Sequence, residues 1–299
     1  MSERYVVIEQ VGGGGFADVY KALDTWTGQI VAKKELRVPN YSNRQRFRRE
    51  RDMYGEQSQN RHVIDLFDSD TEAPAPYLII KFAPLGSLQQ FVTNRQDPKR
   101  VAQWFCDILV GLSPVYQKDG FHGDPKPSNF LLFQEEREFV VLIDFGLAQR
   151  PNTLSGPMTR SPRGTPDYQD PALDKGYAYT WRSDIYALGI SLRELLTGNR
   201  SRDIYAEFRV PMELRNLIDE MIDPVPQNRP TPRQIYQTLQ TFIQKPEPVA
   251  VEAQPIGVGG LIAALAGVAL VALATSNSYD SKVGRYRDGN GRFASGRWG

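Results

Sequence analysis

The chain predicts an α+β fold of two lobes, a small β-rich lobe followed by a larger helical one. Three observations lead there. From Arg4 to about Ile80, apolar residues alternate or come in short β-branched runs with turn residues between them. After Gly86 the apolar spacing becomes helical, in "VAQWFCDILVGLSPVYQ", "SDIYALGISLRELLTG", "PMELRNLIDEMI" and "TPRQIYQTLQTFIQ". With 40% hydrophobic and 11% aromatic residues among 299, the body of the chain has enough apolar material for a core.

The strands of the first lobe, residues 1–83, are expected in "YVVIEQV", "ADVYKAL", "QIVAKKEL" and "PYLIIKF", forming a mostly antiparallel sheet. One amphipathic helix interrupts them, "SNRQRFRRERDMYGEQ", opening at Ser42 or Asn43. The helical lobe covers 84–245 and stops near Lys245, where "KPEPVAVEAQP" has the Pro and Glu content of a linker, 246–255. An apolar run, Ile256 to Ala274, sits in a candidate membrane helix over 256–275. A Gly- and Arg-rich tail, 276–299, is expected to be disordered. No internal repeat of domain size is visible.

With 36 basic and 35 acidic residues, the net charge of +1 draws the protein neither to nucleic acid nor to an anionic surface. A lone cysteine, Cys106, rules out an intrachain disulfide and a cysteine-based metal site and fits a reducing compartment. Between Trp104, Phe105 and Ile108 it reads as a buried structural thiol. The N-terminus has no secretory apolar run, so the first part of the chain is expected to stay in the cytosol.

Chemistry is concentrated in four stretches. In "VGGGGFADVYKA" glycines end one strand and a second strand begins at Asp18 or Val19. Glycines there let backbone N–H groups approach phosphate oxygens, although a flexible hairpin would look the same. A strand rather than a helix follows and no GK[ST] is present, which disfavours dinucleotide-binding and Walker loops. In "IVAKKEL" alternation puts Val31 and Lys33 on one face, Ala32 and Lys34 on the other. A buried Lys34 ammonium needs a partner, and Glu50 shares a helix face with Phe47 and Tyr54. The nearby Arg44, Arg46, Arg48, Arg49 and Arg51 read as a solvated face.

The stretch "HGDPKPSN" supplies Asp124, able to accept a proton from an attacking hydroxyl, Lys126, able to neutralise a moving phosphoryl group, and Asn129, able to hold a metal ion. Fifteen residues on, the strand in "VVLIDFGLA" ends at Asp144, a second oxygen ligand; Mg2+, which keeps several waters, suits so thin a set.

Over about residues 4 to 243 the chain resembles the eukaryotic-like Ser/Thr protein kinases of the bacterial or viral type. "VGGGGFADVYKA" is similar to their glycine-rich loop, "VAKK" to the strand ending in the ATP-anchoring lysine, "LIIKFAPLGSL" to the hinge, "HGDPKPSN" to the catalytic loop, and "DFG" to the magnesium motif. "GTPDYQDP" resembles the substrate-docking loop, "SDIYALG" the segment whose Asp184 braces the catalytic loop, and "DPVPQNRPT" the segment carrying Arg229. The resemblance implies a bilobal kinase fold and transfer of the γ-phosphoryl group of ATP to Ser or Thr of a protein substrate. It implies catalytic roles for Asp124, Lys126, Lys34, Glu50 and Thr165, with Thr165 touching Asp124 and Lys126. Nucleotide contacts are implied for Val11, Gly12, Gly13, Gly14, Gly15, Val19, Ala32, Lys34, Ile80 at the gatekeeper, and the backbones of Lys81 and Ala83; Mg2+ would be held by Asn129 and Asp144.

The sequence departs from the family pattern in three places. Ala17 stands at the third glycine position. The Ala-Pro-Glu motif reads Asp170, Pro171, Ala172, so the usual carboxylate partner of Arg229 is missing and Asp170 or Asp174 is expected to replace it. Gly123 stands where most members have the arginine that receives an activation-loop phosphate, so the enzyme is expected not to be switched through that arginine, despite Thr153, Ser155, Thr159 and Ser161 nearby. Two rival functions share many of these residues. A small-molecule phosphotransferase also uses His-Gly-Asp, but Lys126 and the downstream segments favour a protein substrate. A membrane-bound pseudokinase scaffold would have no need of Lys34, Glu50, Asp124, Asn129 and Asp144, all of which are present.

The uncharged stretch between Glu252 and Asp280 includes 19 apolar residues, enough at 1.5 Å per residue to cross roughly 30 Å of hydrocarbon. Ten of the 19 are Gly or Ala, and Gly259, Ala263 and Gly267 form a small-residue stripe that would permit helix-mediated self-association; a buried hydrophobic hairpin is the alternative. The tail carries net +3 and the segment before the run −1, which by the positive-inside rule alone would put the tail in the cytosol and the kinase outside. ATP chemistry and a free cysteine outweigh that rule, and the expectation is a single-pass membrane protein with a cytoplasmic kinase domain. No clear nucleic-acid partner is indicated; Arg with Phe, Tyr and Trp in the tail could bind anionic lipid or nucleic acid, and plain solvation is the expectation.

Overall fold

Alternating β-branched and aromatic residues build the first layer, a five-stranded antiparallel sheet in the order β1-β2-β3-β5-β4. The computed structural model of the chain describes residues 3–149, 164–198, 210–246, 278–280 and 285–287. In it β1 is Tyr5–Gly13, β2 Ala17–Asp24, β3 Ile30–Leu36, β4 Leu66–Asp70 and β5 Tyr77–Lys81. The register pairs Val19 with Lys34, Lys34 with Leu78 and Ala32 with Ile80. Directly opposed residues project from one face, so Val19, Ala32, Lys34 and Ile80 share the inner face. Val31 and Ile79 bury on the outer face with Tyr5 and Ala22. The polar strand β4, "LFDSD", shows no alternation of apolar residues, and its pairing comes from its β5 neighbour rather than its own pattern.

Helix α1, Tyr41–Glu56, lies beside this sheet and begins slightly before the expected Ser42 or Asn43. Asn40 is the reason: its side chain accepts the Asn43 amide and so caps the first turn. Phe47, Glu50, Met53 and Tyr54 form its buried face. The arginines of α1 are not simply solvated. Arg44 donates to the carbonyls of Thr71 and Ala73, and Arg48 pairs with Glu72, tying the helix to the β4–β5 turn.

The second lobe assembles on α2, Pro98–Tyr116, with α3, Trp181–Thr197, α4, Met212–Met221, and α5, Pro232–Gln244, around it. A hairpin of β6, Phe130–Gln134, and β7, Glu138–Leu142, packs against α2. Phe105, Ile108, Leu112, Leu132, Val140, Ile185, Leu188 and Leu239 belong to one continuous core with the inner face of the sheet. Gly111 of α2 permits that closeness, since a Cβ there would lie 2.5 Å from Leu142 and 2.9 Å from the His62 carbonyl. Cys106 is buried and burial pushes its thiol up to about 11, so it remains a protonated packing residue.

Arg229, wholly buried after α4, receives its carboxylate from Asp170, with Nη1–Oδ2 and Nη2–Oδ1 distances of 2.5 and 2.7 Å. The carboxylate has moved two residues upstream of the family's glutamate position, and Asp170 also accepts the Ala172 amide, closing its own turn. The expected replacement is therefore Asp170, not Asp174.

The chain divides into two compact units, Met1–Lys245 and Pro246–Gly299. In the second, Ser278–Asp280 (β8) and Arg285–Arg287 (β9) pair antiparallel. The tail was expected to carry no structure; two three-residue strands fall below the size that is stable alone, and no apolar alternation announces them. Among the described residues no helix is long and apolar enough to cross a membrane, and the run Ile256 to Ala274 lies outside them.

Removing one partner of the Arg229–Asp170 pair leaves a buried charge uncompensated. Asp170→Ala is expected to lower stability by about 3–5 kcal/mol, read from denaturant unfolding. Wild-type stability would mean that the pair holds nothing together.

Candidate active site

A single carboxylate organises the loop between α2 and β6. Asp184, on the first turn of α3 and fully buried, accepts the His122 amide at 2.6 Å, the Gly123 amide at 3.1 Å and the Tyr179 hydroxyl at 2.7 Å. Burial pushes its carboxyl up, and His122, Tyr179 and Gly123 oppose that push. Glycine at 123 has a steric cause. Its φ is +91°, and a Cβ there would meet the Leu147 carbonyl oxygen at 2.8 Å and the Leu147 Cβ at 2.9 Å. The segment after Asp144 thus presses on the loop before Asp124 at residue 123.

Next in the chain, Asp124 is buried with both oxygens engaged: Oδ1 accepts the Thr165 hydroxyl at 3.0 Å, and Oδ2 lies 2.7 Å from Lys126 Nζ. Lys126 also donates to Thr165 Oγ1 at 2.5 Å. The three residues form a closed cluster, as the resemblance implied. Gly164, at φ +83°, brings Thr165 in, and a Cβ there would crowd Asp124 Oδ1 at 3.1 Å. Asn129 donates its amide to the Asp124 carbonyl at 2.8 Å, which leaves its Oδ1 as the end able to ligate.

A second cluster spans the lobes. Lys34 Nζ donates to both oxygens of Glu50 at 2.6 and 2.8 Å and lies 3.8 Å from Asp144 Oδ1. Burial alone would lower the Lys34 ammonium; Asp144 and Glu50 raise it, so it stays charged. Burial would raise Asp144, but Lys34 and Arg46, with smaller contributions from His122 and Lys126, hold it at about 2. Asp144 Oδ1 is buried without a hydrogen-bond partner, an ionised oxygen left for a ligand. Phe145 is fully buried between Tyr54, centroids 6.0 Å apart and edge-on, and His122, 4.7 Å apart. His122 therefore braces, through its ring and its Nε2 contact with the Ile143 carbonyl at 3.1 Å.

The glycine loop joins β1 to β2. A Cβ at Gly13 would meet Asp18 at 2.6 Å, so that glycine serves the turn itself, and Gly12 lies over Val19. Gly14 and Gly15 have nothing within 4 Å, an open cradle beside which a Cβ is not otherwise excluded. Val11 is 46% exposed on β1, whereas Val19, Ala32 and Ile80 line the inner face with Lys34. At the hinge the Lys81 amide is used by the Asp65 carbonyl, and the Ala83 carbonyl by the Gly86 amide. That leaves the Lys81 carbonyl and the Ala83 amide as the groups that a base could meet.

Near the site Phe16 escaped the sequence reading, and Arg46, Arg49 and Tyr54 were given no role there. Phe16, at the loop tip, packs edge-on to Phe47 with Arg46 4.3 Å from its centroid. Arg46 lies 3.7 Å from Asp144 Oδ1, and Arg49 donates to the Gly146 carbonyl at 2.8 Å. Tyr54 bonds to Glu50 and Asp144. The i, i+3, i+4 spacing 46, 49, 50 would have placed these arginines beside Glu50. Among the described residues no group of three or more His, Cys, Asp or Glu could hold a metal, so a divalent ion here would rely on Asn129, Asp144, waters and phosphate oxygens.

Gly123→Ala forces a non-glycine residue into a positive φ against the Leu147 backbone and is expected to cost about 1–3 kcal/mol in thermal or denaturant unfolding. A variant as stable as wild type would remove the steric reason for this glycine.

A family model described as the protein kinase domain matches residues 5–240. Serine/threonine-protein kinase PrkC of Bacillus subtilis is 31% identical over 223 residues, 73% of this chain and 34% of that protein. Probable serine/threonine-protein kinase PknB of Corynebacterium glutamicum is 31% identical over 211 residues, 66% of this chain and 32% of its own length. Its Lactococcus lactis namesake is 32% identical over 205 residues, again 66% and 32%. The chain spans about a third of the length of these curated relatives. With the paired clusters around Lys34 and Asp124, these matches settle the lineage: the chain belongs to the protein kinase family, in its eukaryotic-like serine/threonine branch.

Proposed function

We propose that the chain is an ATP- and Mg2+-dependent protein kinase acting on Ser and Thr of protein substrates. The closed cluster of Asp124, Lys126 and Thr165 carries this reading. Asp124 takes the proton of the substrate hydroxyl as its oxygen bonds to the γ-phosphorus and the bond to the β,γ-bridging oxygen breaks. Lys126 balances the charge on the transferring group, and Thr165 orients both side chains. Lys34, held by Glu50, anchors the nucleotide phosphates. Gly12 to Gly15 bring backbone N–H groups to those phosphates, and Val11, Val19, Ala32 and Ile80 enclose the base, which pairs with the Lys81 carbonyl and the Ala83 amide. Asn129 and Asp144 would hold Mg2+, which supplies positive charge against the phosphate oxygens; the buried Asp144 Oδ1, which has no hydrogen-bond partner, supports that role.

Asp124→Asn is expected to lower phosphate transfer from ATP to a protein substrate by about 10²–10⁴-fold while the protein still folds. Equal signals from the two proteins would remove the enzymatic reading in favour of a scaffold. Phosphoamino-acid analysis should show phosphoserine and phosphothreonine, and phosphotyrosine alone would overturn the specificity. Activity independent of loop phosphorylation is also part of this reading, supported by Gly123. Replacing Thr153, Ser155, Thr159 and Ser161 with Ala should leave transfer intact; residues 150–163 lie outside the described ones.

The kinase unit is further proposed to be tethered by Ile256 to Ala274, with the kinase on the cytoplasmic side and helix pairing along Gly259, Ala263 and Gly267. The length and uncharged character of the run support this. A tag on the tail should be protected from protease in intact vesicles oriented with the kinase outward; digestion of the tag without permeabilisation would exclude a crossing helix.

A further inference from the structure

Three side chains behind the glycine loop take no part in the phosphoryl-transfer set drawn above. Val19 and Lys34 are opposed on the inner face of the sheet, so Asp18 and Glu35, the opposed pair beside them, project from the outer face. Gln10 of β1, opposite Tyr20, shares that face. Arg37, just beyond β3, donates through Nη2 to Asp18 Oδ1 at 2.5 Å and through Nε to Oδ2 at 3.1 Å, a two-point fit of guanidinium to carboxylate. Gln10 Nε2 donates to the same Oδ1 at 3.0 Å. Like charges stand opposite one another at Asp18 and Glu35; Arg37 neutralises the first and holds its carboxyl below the usual range, and Lys33, 2.9 Å away, neutralises the second.

This network is bonded to both arms of the loop. Gln10 Nε2 also donates to the Gly12 carbonyl at 3.2 Å on the entering arm, and the Arg37 backbone N–H donates to the Phe16 carbonyl at 3.1 Å on the returning arm. Between them the loop backbone rests on the network with no side chain in the way, since a Cβ at Gly13 would lie 2.6 Å from Asp18 Oδ1 and 2.9 Å from Gln10 Nε2. Ala17, at the family's third glycine position, is buried and paired with Leu36, which further fixes the returning arm. Freedom is left to Gly14 and Gly15, which have nothing within 4 Å. Exposed charge pairs contribute little to overall stability, and the Arg37 side chain is 48% exposed. The weight of this pair falls instead on a four-glycine turn, which loses more conformational freedom on ordering than any other composition would and whose shape a few bonds can therefore decide.

We propose that Asp18, Arg37 and Gln10 are positioning residues for the nucleotide, a clamp on the outer face of the sheet that sets the height of the glycine loop over the phosphate site without touching the nucleotide. This rests on the reading of the loop as a phosphate cradle. Without the clamp the strands stay paired, and Lys34, Asp124 and Asp144 keep the partners described above. The loss therefore falls on capture of the nucleotide, which ground state and transition state share, and not on the transfer step.

In the full chain, Arg37→Ala and Asp18→Ala are each expected to raise KM for ATP about three- to fivefold with kcat within about twofold of wild type, and to speed hydrogen exchange over residues 12–17 of the nucleotide-free protein by a similar factor. The double variant should be no worse than either single one, because the two side chains form one contact. Wild-type KM with wild-type exchange, losses that add in the double variant, or a fall in kcat with KM unchanged would each overturn the clamp. Exchange in the wild type with and without ATP and Mg2+ separates this from the underlying reading. Slowing over residues 12–17 when nucleotide is added supports the cradle. If nucleotide leaves those rates unchanged, the cradle reading has failed, and exchange in the nucleotide-free variants decides the clamp by itself: acceleration supports it, and a wild-type rate overturns it.

Discussion

Lys34 and Glu50 are opposite charges removed from water, and the active half of the structure is arranged around keeping them together. Desolvating two ions costs several kcal/mol each, recovered only when the geometry is close and the remaining lone pairs are used. Here Lys34 reaches both oxygens of Glu50, and the Tyr54 phenol takes one of them as well. Well-packed apolar residues of equal volume often stabilise a protein as well as a buried ion pair does. What the charges add is position, because α1 can sit against the sheet only where Glu50 meets Lys34. Phe47 and Tyr54 follow it into the core, and Asp144 is then faced by Lys34 and Arg46.

The second lobe also depends on a buried carboxylate, but one held without a counter-ion. Asp184 is buried with no cation bonded to it and is satisfied by two amides and a phenol, so it fixes backbone rather than charge. The amides it holds belong to His122 and Gly123, immediately before Asp124. A residue with a side chain at 123 would collide with Leu147, so the segment following Asp144 and the catalytic loop are fitted by contact. This close fit supports the proposal that transfer needs no phosphate on the loop.

Much of this was legible from residue order. Periodicity separated the sheet from the helices, and alternation in "IVAKKEL" put Lys34 on the inner face with Ala32, as the register with β5 bears out. Spacing from Phe47 to Tyr54 made Glu50 its partner. The strands β4 and β6 were not legible, β4 being too polar and β6, "FLLFQ", a short apolar run without alternation. The α1 arginines were misjudged as a solvated face because a helical wheel shows direction and not what stands opposite; Arg46 and Arg49 in fact turn toward Asp144 and Gly146.

The sequence by itself determined the two-lobed class, the family, and the residue types that can move a phosphoryl group, because these depend on local patterns and on chemistry carried by single side chains. Tertiary structure alone decided that Asp170 rather than Asp174 neutralises Arg229, that Gly123 is glycine for want of space, and that one phenol links Glu50 to the Asp144 backbone. Each of these joins residues far apart in the chain, and no periodicity records which distant atoms will be within 3 Å once the core closes.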